Sequence, residues 1–379
     1  MNYKNLKIKL PKVKVATGLY SNIDSIIKVD ENVKKRIKKY KTKRPKKVVL
    51  NTMGEIFYTL KIALKRGGSE YLISEGAYKK LIATFPNREM RVGGNGNLMG
   101  QALSLFGLIP LVSYPSRAKK LMLLSSNLKV ATGSKLETPK NSIRIKDSIY
   151  EHIIFETKRD RHILTYDPMT THGFFDHHFL RIASNPKFID ILILSYTHLL
   201  LPEYKKRTDI ILDYLDKKER PKIHLELGMG SKDSVKYAIE KFKGYYDSLG
   251  MDEKECKVFL GARSYNKEHL IHASLKALKK YELERVCIHT KKFAFSVSQN
   301  DFDKEFDALT SACLVAAART FKKLNIDYAR TLPASAKPAQ RRIGKYRLCL
   351  VPSLQNPDPQ IMTGMGDAFA SIQAVKSLS

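Results

Sequence analysis

The sequence lacks several features that would assign it to particular classes of protein. It has no tryptophan and only four cysteines in 379 residues, at Cys256, Cys287, Cys313 and Cys349. The cysteines are far apart and include no CxxC pair. This spacing supports neither a disulfide framework nor a zinc knuckle, so we interpret the thiols as free and buried.

Long hydrophobic runs are also missing. The longest, LFGLIPLV at 105–112 and FIDILIL at 188–194, are too short to cross a bilayer. The first fifteen residues contain no apolar segment of the kind that a signal peptide needs. With 43% hydrophobic residues, the chain is predicted to be globular and cytoplasmic, with no membrane partner and with a substantial core.

Acidic residues are few relative to basic ones. The 68 lysines and arginines exceed the 37 aspartates and glutamates, which gives a net charge of +31. This excess favours an anionic partner, whether nucleic acid, a membrane surface or a phosphorylated small molecule, without choosing among them. The densest basic run, at 28–47, has few aromatic residues for base stacking, and we interpret it as a solvated helix face and connector.

Short β-rich runs alternate with longer helical stretches along most of the chain. IDILILS at 189–195 and KIHLELGMG at 222–230 are examples of such strands. The alternation predicts an open, mostly parallel α/β sheet, in which ligands bind at the carboxyl ends of the strands. Residues 128–166 instead show short alternating strands between turns, which predicts a small sheet-rich lobe.

One segment, IHLELGMGS at 223–231, resembles the nucleotide loop of the adenosylmethionine-dependent methyltransferases. A strand that ends in an acid is followed by Gly-x-Gly, but Ser231 stands where that family often has a third glycine. The segment CKVFLG, interpreted as the next strand, lacks the acid expected to bind a ribose. An RNA methyltransferase is therefore kept only as an alternative.

Other motifs occur in a more informative order. They are SNIDSI (21–26), GGNGNLMGQAL (93–103), HLELGMGS (224–231), DSLGMDEKE (247–255), IHT (288–290) and TGMGDAFAS (363–371). Each is weak alone, but together they resemble the ribokinase-like superfamily and, within it, the ADP-dependent sugar kinases of the glucokinase and phosphofructokinase family. The resemblance implies a ribokinase-like, Rossmann-type three-layer α/β/α domain with a smaller sheet-rich lid. It also implies transfer of the β-phosphoryl group of ADP to a sugar hydroxyl, with release of AMP.

The resemblance assigns catalytic roles to the last motif. By similarity Asp367 is the base, and Gly364 and Gly366 belong to the loop whose backbone N–H groups face the transferred phosphoryl group, with Thr363 beside the nucleotide. Glycine lets the backbone approach a phosphate closely, and a helix N-terminus offers unpaired donors. The plain alternative is an N-capping turn.

The same resemblance implies a magnesium site and a nucleotide site. Glu226 and Glu255 look like the two acids of the family's Mg²⁺ site, which act mainly through water. The second of these motifs begins with Asp252 where the family usually has asparagine. His289 and Thr290 are expected to contact the adenine nucleotide, although His289 is also compatible with a core histidine.

Sugar binding is assigned by resemblance to a third group of residues. Asn22 and Asp24 look like the family's hydroxyl-binding pair, with Gly93, Gly94 and Asn95 beside them. A carboxylate that accepts two sugar hydroxyls suits a strand end that faces a cleft.

The charge of the acceptor is predicted from the segment FETKRDRHILTYD. Alternation would place Arg159 and Arg161 on one face of a strand, and two guanidinium groups suit a phosphate better than a neutral sugar. We therefore expect a phosphorylated sugar, such as fructose 6-phosphate or ribose 1-phosphate, somewhat ahead of glucose. The alternative is that this hairpin adds to the solvated basic surface. Tyr196, where relatives often have a glycine-containing turn, is expected to reshape the pocket.

The expected lid comprises residues 25–50 and 128–166, and the large domain comprises 1–24, 51–127 and 167–379. A lid is reasonable because phosphoryl transfer must exclude water. An ATP-dependent kinase of the ribokinase-like type and an RNA-binding protein are the alternative functions. The identity of the sugar and the oligomeric state are left open.

Overall fold

The computed structural model of the protein describes residues 3, 6–46, 49–149, 151–157, 160–166, 175–196, 203–228 and 230–379. The described strands are β1 (Val15–Gly18), β2 (Asn22–Lys28), β3 (Val49–Leu50), β4 (Glu70–Ile73), β5 (Glu89–Gly93), β6 (Leu111–Val112), β7 (Val130–Thr132), β8 (Lys135–Glu137), β9 (Glu151–Glu156), β10 (Arg161–Tyr166), β11 (Ile191–Tyr196), β12 (Lys222–Leu227), β13 (Ser248–Asp252), β14 (Arg285–His289), β15 (Phe293–Ser298), β16 (Ala339–Ile343) and β17 (Tyr346–Pro352).

The helices follow the strands in alternation over much of the chain. They are α1 (Glu31–Lys39), α2 (Met53–Arg66), α3 (Glu75–Thr84), α4 (Asn95–Ser104), α5 (Lys119–Leu124), α6 (His177–Ala183), α7 (Tyr204–Leu215), α8 (Lys232–Lys241), α9 (Glu253–Phe259), α10 (Lys267–Tyr281), α11 (Phe302–Ala318), α12 (Ile326–Ala329) and α13 (Met365–Leu378), with a 3₁₀ turn at Pro139–Ser142. Within the described ranges, no helix is long and apolar enough to cross a membrane.

A nine-stranded sheet forms the centre of the larger part of the molecule. Its order is β16-β17-β15-β14-β13-β12-β11-β1-β6, parallel from β6 to β14 and antiparallel from β14 to β16. Its inner strands read as nearly continuous apolar runs because helices cover both faces. Helices α6 to α10 pack on one face, and α4, α11 and α13 pack on the other. The predicted three-layer α/β/α fold class is confirmed.

A six-stranded sheet forms the smaller part, in the order β3-β4-β10-β9-β2-β5. One of its faces carries apolar side chains such as Ile27, Phe155 and Leu164, which pack with helices α1 to α3 in a separate core. Because side chains alternate along a strand, the opposite face is left to the residues between them. That face includes Asp24, Glu156 and other charged residues.

The segments that form the six-stranded sheet and its helices differ from the segments 25–50 and 128–166 that were expected to form the lid. Residues 53–93, expected in the large domain, supply α2, α3, β4 and β5 to the six-stranded sheet and its core. Residues 128–142, expected in the lid, instead form the β7–β8 hairpin and the 3₁₀ turn. There Val130 packs with Val112 and Met122 near the edge of the nine-stranded sheet.

Two local interpretations are also corrected. The segment CKVFLG is not a strand, since it lies in helix α9 and its C-cap. The strand before it, β13, ends in Asp252, so the missing ribose-binding acid was no argument against a methyltransferase. By contrast, the basic run at 28–47 does contain an exposed helix, because Ile37 is buried in α1 while its lysines are exposed.

Candidate active site

The predicted site residues gather where the carboxyl ends of the parallel strands meet the polar face of the six-stranded sheet. Strands β1, β12 and β14 end at this edge, and helices α4 and α13 begin there. Two hydrogen bonds across the cleft join distant segments. Asn95 Nδ2 donates to Asp367 Oδ1 (2.9 Å), and Arg161 Nη1 donates to the Met362 carbonyl (2.5 Å).

Asn22 and Asp24 form a buried polar pair at the start of β2, rather than at the end of a strand as the sequence suggested. Asn22 Nδ2 donates to Asp24 Oδ1 (3.0 Å). Within the part of the chain that the structure describes, the Asn22 Oδ1 atom is buried without a hydrogen-bond partner. A buried acceptor without a donor, next to a carboxylate, suits a ligand that donates hydroxyl hydrogens.

Gly93 and Gly94 are required by the close approach of this pair. Strand β5 places Gly93 opposite Asn22. A Cβ atom at Gly93 would lie 2.0 Å from Asp24 Oδ1, and one at Gly94 would lie 2.7 Å from Asn22 Oδ1. Gly94 also has a φ of 81°, in the left-handed region that favours glycine. The double glycine therefore makes room for the two polar side chains.

The TGMGD segment forms the turn that begins α13. Gly364 is the N-cap with a φ of 76°, Thr363 is buried before it, and Asp367 lies in the first helical turn. The first N–H groups of a helix lack intrahelical acceptors and are stabilised by an anion. Through Asn95 and Asp367 this helix start is joined to the start of α4.

The two carboxyl groups of the cleft have raised pKa values. Burial raises the pKa of Asp24 to about 6, against the lowering effects of His152, Asn22 and Arg161. Burial likewise raises the pKa of Asp367 to about 6, although Arg161 and Asn95 act to lower it. Each of the two carboxyl groups is thus a stronger base than an exposed aspartate.

Arg161 is close enough to interact electrostatically with both carboxyl groups. Its positive charge acts on both Asp24 and Asp367, and its guanidinium is anchored on the Met362 carbonyl. Arg159 lies outside the described residues, so the predicted pair of arginines is not placed. The side chain of Tyr196 is likewise not described.

Glu226, the last residue but one of β12, contacts two histidines. Its Oε2 lies 3.0 Å from His224 Nε2, and its Oε1 lies 3.4 Å from His289 Nε2. These hydrogen bonds outweigh burial and keep the pKa of Glu226 below its usual range, while Glu226 raises the pKa of His289 to about 9 against the effect of burial. The His289 side chain is 24% exposed, and its Cε1 would lie 3.7 Å from a Cβ at Gly366, which places it beside the glycine turn of α13.

Glu255 lies in the first turn of α9 beside Asp252. The two residues form a capping box, in which Glu255 N donates to Asp252 Oδ1 (2.7 Å) and Asp252 N donates to Glu255 Oε2 (2.9 Å). Burial, followed by the negative charge of Asp252, raises the pKa of Glu255 well above its usual value. The charge of Glu226 acts in the same direction.

Glu226, Asp252 and Glu255 offer the kind of ligands that suit a Mg²⁺ ion bound through its water molecules. Among the described residues, no three histidine, cysteine, aspartate or glutamate side chains come together closely enough to hold a metal ion directly. Carboxylate oxygens are the donors that Mg²⁺ prefers, and Mg²⁺ retains several waters. A cation would also relieve the mutual repulsion of Glu226, Asp252 and Glu255, so the residues present fit the ion.

Thr290 lies next to His289, but its hydroxyl group is used within the chain. Its Oγ1 donates to the Phe293 carbonyl (2.8 Å) and accepts from the backbone N–H of Lys292 (3.0 Å). The hydroxyl thus stabilises the turn between β14 and β15. Its predicted contact with the nucleotide stays a prediction.

Three residues at this edge were not singled out from the sequence. His224 holds Glu226, and its presence in the HLE motif was the signal. Glu156 Oε1 accepts from the Met362 N–H (2.9 Å), and no local motif marks it. Arg319, whose Nε would lie 3.6 Å from a Cβ at Gly364, follows α11 and interacts electrostatically with Asp367.

The fold and the cleft are those of a phosphotransferase. A buried polar pair, a glycine turn at a helix N-terminus and an adjacent carboxyl group are the kinds of groups that transfer of a phosphoryl group to an alcohol requires. Residues 13–375 match the family model described as the ADP-specific phosphofructokinase/glucokinase conserved region. The chain therefore belongs to this family and is an ADP-dependent kinase that acts on a sugar hydroxyl.

Individual relatives agree with this assignment. The ADP-dependent glucose/glucosamine kinase of Pyrococcus furiosus is 26% identical over 440 aligned positions, covering 97% of this chain and 96% of the relative. A solved structure of an ADP-dependent kinase complex with fructose 6-phosphate and ADPβS has a TM-score of 0.77 at 17% identity, with 98% and 94% of the two chains covered. A hypothetical ADP-dependent phosphofructokinase from Pyrococcus horikoshii has a TM-score of 0.75 at 17% identity, with 97% and 98% covered. These structures show the shared fold.

Family membership decides among the alternative functions. It supports a kinase over a methyltransferase, and it favours ADP over ATP as the donor.

Proposed function

We propose that the protein transfers the β-phosphoryl group of ADP to a hydroxyl group of a sugar bound at Asn22 and Asp24, with Asp367 as the base. The observation that supports this most is the position of Asp367. It lies directly after the glycine turn of α13, is held by Asn95, and interacts electrostatically with Asp24 across the cleft. A sugar held at Asp24 would present a hydroxyl to Asp367.

The reaction is a displacement at phosphorus. The sugar oxygen forms a bond to the β-phosphorus of ADP, the bond from that phosphorus to the bridging oxygen breaks, and AMP leaves with the electron pair. The hydroxyl proton passes to Asp367. With a pKa of about 6, Asp367 is ionised at neutral pH and still accepts a proton more readily than an exposed aspartate.

The remaining residues supply positive charge and donors for the transferred group. We propose that the backbone N–H groups of Gly364 and Gly366 bind its oxygens, and that Arg161 neutralises charge between the two substrates. Glu226 and Glu255 would hold Mg²⁺ through water, and the ion would shield phosphate charge when bound. His289, protonated at neutral pH, borders the expected nucleotide side.

The acceptor we favour on geometric grounds is a neutral sugar. The expectation of a phosphorylated sugar depended on Arg159 and Arg161 together, and Arg161 lies at the reaction centre, where it suits the transferred phosphoryl group. On the neighbouring strand His152 is the register partner of Asp24, and the charge of Glu70 also acts on Asp24. The positive charges of His152 and Arg161 act on Asp24 more strongly than the negative charge of Glu70, so the preference for a neutral sugar rests on the position of Arg161 alone. Fructose 6-phosphate is the competing acceptor, as in the solved complex of a relative.

A substrate panel tests the proposal. We expect AMP release from ADP with glucose or glucosamine to exceed that with fructose 6-phosphate or ribose 1-phosphate, and ATP to be a poor donor. Arg161→Ala should lower kcat with both kinds of acceptor. A rise in KM confined to phosphorylated acceptors would instead support the sequence-based expectation. Absence of AMP release with every acceptor would refute the function.

We further propose that the six-stranded sheet, with residues 22–93 and 151–166, acts as the lid. The support is that its apolar face is covered by its own helices while its polar face meets the cleft. A cytoplasmic location stays a prediction.

A further inference from the structure

One residue from each of strands β9 and β10 in the six-stranded sheet forms a hydrogen bond with the backbone of Met362, which belongs to the larger part of the molecule. Glu156 and Arg161 are direct cross-strand partners at the hairpin end of these strands. Glu156 Oε1 accepts from the Met362 N–H (2.9 Å), and Arg161 Nη1 donates to the Met362 carbonyl (2.5 Å). The pair therefore binds both polar groups of a single backbone residue.

Met362 directly precedes the TGMG turn of residues 363–366, called the glycine loop below. Two residues later Gly364 adopts its left-handed conformation, and α13 follows. On the other side, the N–H groups of Gln360 and Ile361 donate to the Thr320 carbonyl (2.8 and 3.0 Å). Residues 360–362 are thus hydrogen-bonded both to Thr320, just after α11, and to the six-stranded sheet.

Glu156 is itself fixed for this task. Its side chain is 5% exposed, and its second oxygen lies 3.5 Å from Arg91 Nη1. Arg91 is held in turn by Glu89, whose side chain is 51% exposed and contacts Arg91 at 2.8 Å. A buried carboxylate that is paired and directed at a backbone N–H has little freedom to release it.

We propose that Glu156 is a positioning residue that sets the glycine loop and Asp367 in register for phosphoryl transfer when the six-stranded sheet is closed. This inference rests on the proposed function of the cleft. The two carboxylate oxygens of Glu156 face the Met362 N–H and Arg91, so we expect its loss to change the placement of donors rather than the affinity for the sugar. Because small displacements in a reacting geometry have large effects, we expect kcat to fall by about tenfold or more.

Two substitutions of opposite chemistry separate this role from a general effect of charge. Glu156→Asp keeps the charge that faces Arg91 but is too short to reach the Met362 N–H. Glu156→Gln removes the charge but keeps an oxygen at the right distance. Glu89→Gln is the matched control, because it removes the other carboxylate of Arg91 without touching Met362.

The measurements are kcat, KM for the sugar, and hydrogen exchange of the Met362 amide. We expect Glu156→Asp to lose amide protection and to lower kcat with the sugar KM changed less than about threefold. Glu156→Gln should retain most of both properties, and Glu89→Gln should resemble the wild type. The proposal is overturned if Glu156→Gln is the damaging variant, if Glu89→Gln lowers kcat equally, or if amide protection is lost with kcat unchanged. The exchange data need no turnover, so a wild type without kinase activity would refute the proposed function separately.

Discussion

Replacing Asp367 with asparagine should stabilise the protein and inactivate it. The pKa of Asp367 rises from 3.8 to about 6 because burial disfavours the charged form. One pKa unit corresponds to about 1.4 kcal/mol, so keeping this group ionised costs about 3 kcal/mol of folding free energy. Loss of a negative charge in the first turn of α13 returns up to about 1 kcal/mol of this, which leaves a gain of about 2 kcal/mol.

The gain has a defined dependence on pH. Below the unfolded pKa of 3.8 the carboxyl is protonated in both states and costs nothing. The cost grows as pH rises from 3.8 and is complete above about 6. Asp367→Asn should therefore exceed the wild type in the free energy of unfolding at pH 8 and match it near pH 3.5.

Urea unfolding at the two pH values and AMP release at pH 8 measure these effects. The kcat of Asp367→Asn should fall by about 10² to 10⁴, as expected for removal of a general base. Asp233→Asn, in the exposed first turn of α8, is the control, because it removes a negative charge from a helix N-terminus without the effect of burial. Equal stability of Asp367→Asn and the wild type at pH 8 would refute the reasoning on burial, and undiminished turnover would refute the assignment of the base.

Three further predictions concern pH, the sugar pocket and the core. The kcat/KM of the wild type should fall by about tenfold or more per pH unit below about pH 6, as the proposed base Asp367 and the proposed sugar-binding Asp24 become protonated, and a profile flat to pH 5 would contradict this. Gly93→Ala should raise the sugar KM by at least about tenfold because its Cβ would lie 2.0 Å from Asp24 Oδ1; the control Gly76→Ala has open space and should have no effect. Glu305→Gln should lower the free energy of unfolding by about 3–5 kcal/mol, since it leaves the buried Arg285 guanidinium without its carboxylate partner (2.9 Å); urea unfolding with a loss under 1 kcal/mol would argue against that pairing.

The parts of the site that contiguous motifs encode were predictable from the sequence. GGNG and TGMGD each combine a glycine with a left-handed conformation and a helix start, and both properties depend on neighbouring residues only. The placement of Asn95 against Asp367 was not derivable from either motif. It depends on packing between α4 and α13, which are far apart in the sequence.

The errors have identifiable physical causes. CKVFLG has a strand-like composition, but the capping box of Asp252 and Glu255 starts a helix just before it, and the spacing D-x-x-E was the available signal. The same box shows that aspartate at 252 serves as an N-cap, a role that asparagine fills equally well. The membership of the six-stranded sheet was not predicted because β4 pairs with β10 some ninety positions later, and short strands carry little information about distant partners.

The junction between the two sheets determines how far each part of the cleft travels if the smaller sheet moves. The chain first passes from the larger sheet to the smaller one between β1 and β2. In this connection the Tyr20 carbonyl accepts a hydrogen bond from Gly96 N (2.9 Å), which joins it to the start of α4. Along the paired strands β2 and β9, Glu151 lies opposite Ile23 while Glu156 lies opposite Lys28, about 17 Å further from this pivot at 3.3 Å per residue. If the smaller sheet rotated about this connection, residues near Asn22 and Asp24 would move little, and the residues that contact Met362 would move furthest. Asn22, Asp24 and Gly93 all belong to the smaller sheet and would keep their mutual positions, whereas the contacts of Glu156 and Arg161 with Met362 would separate furthest.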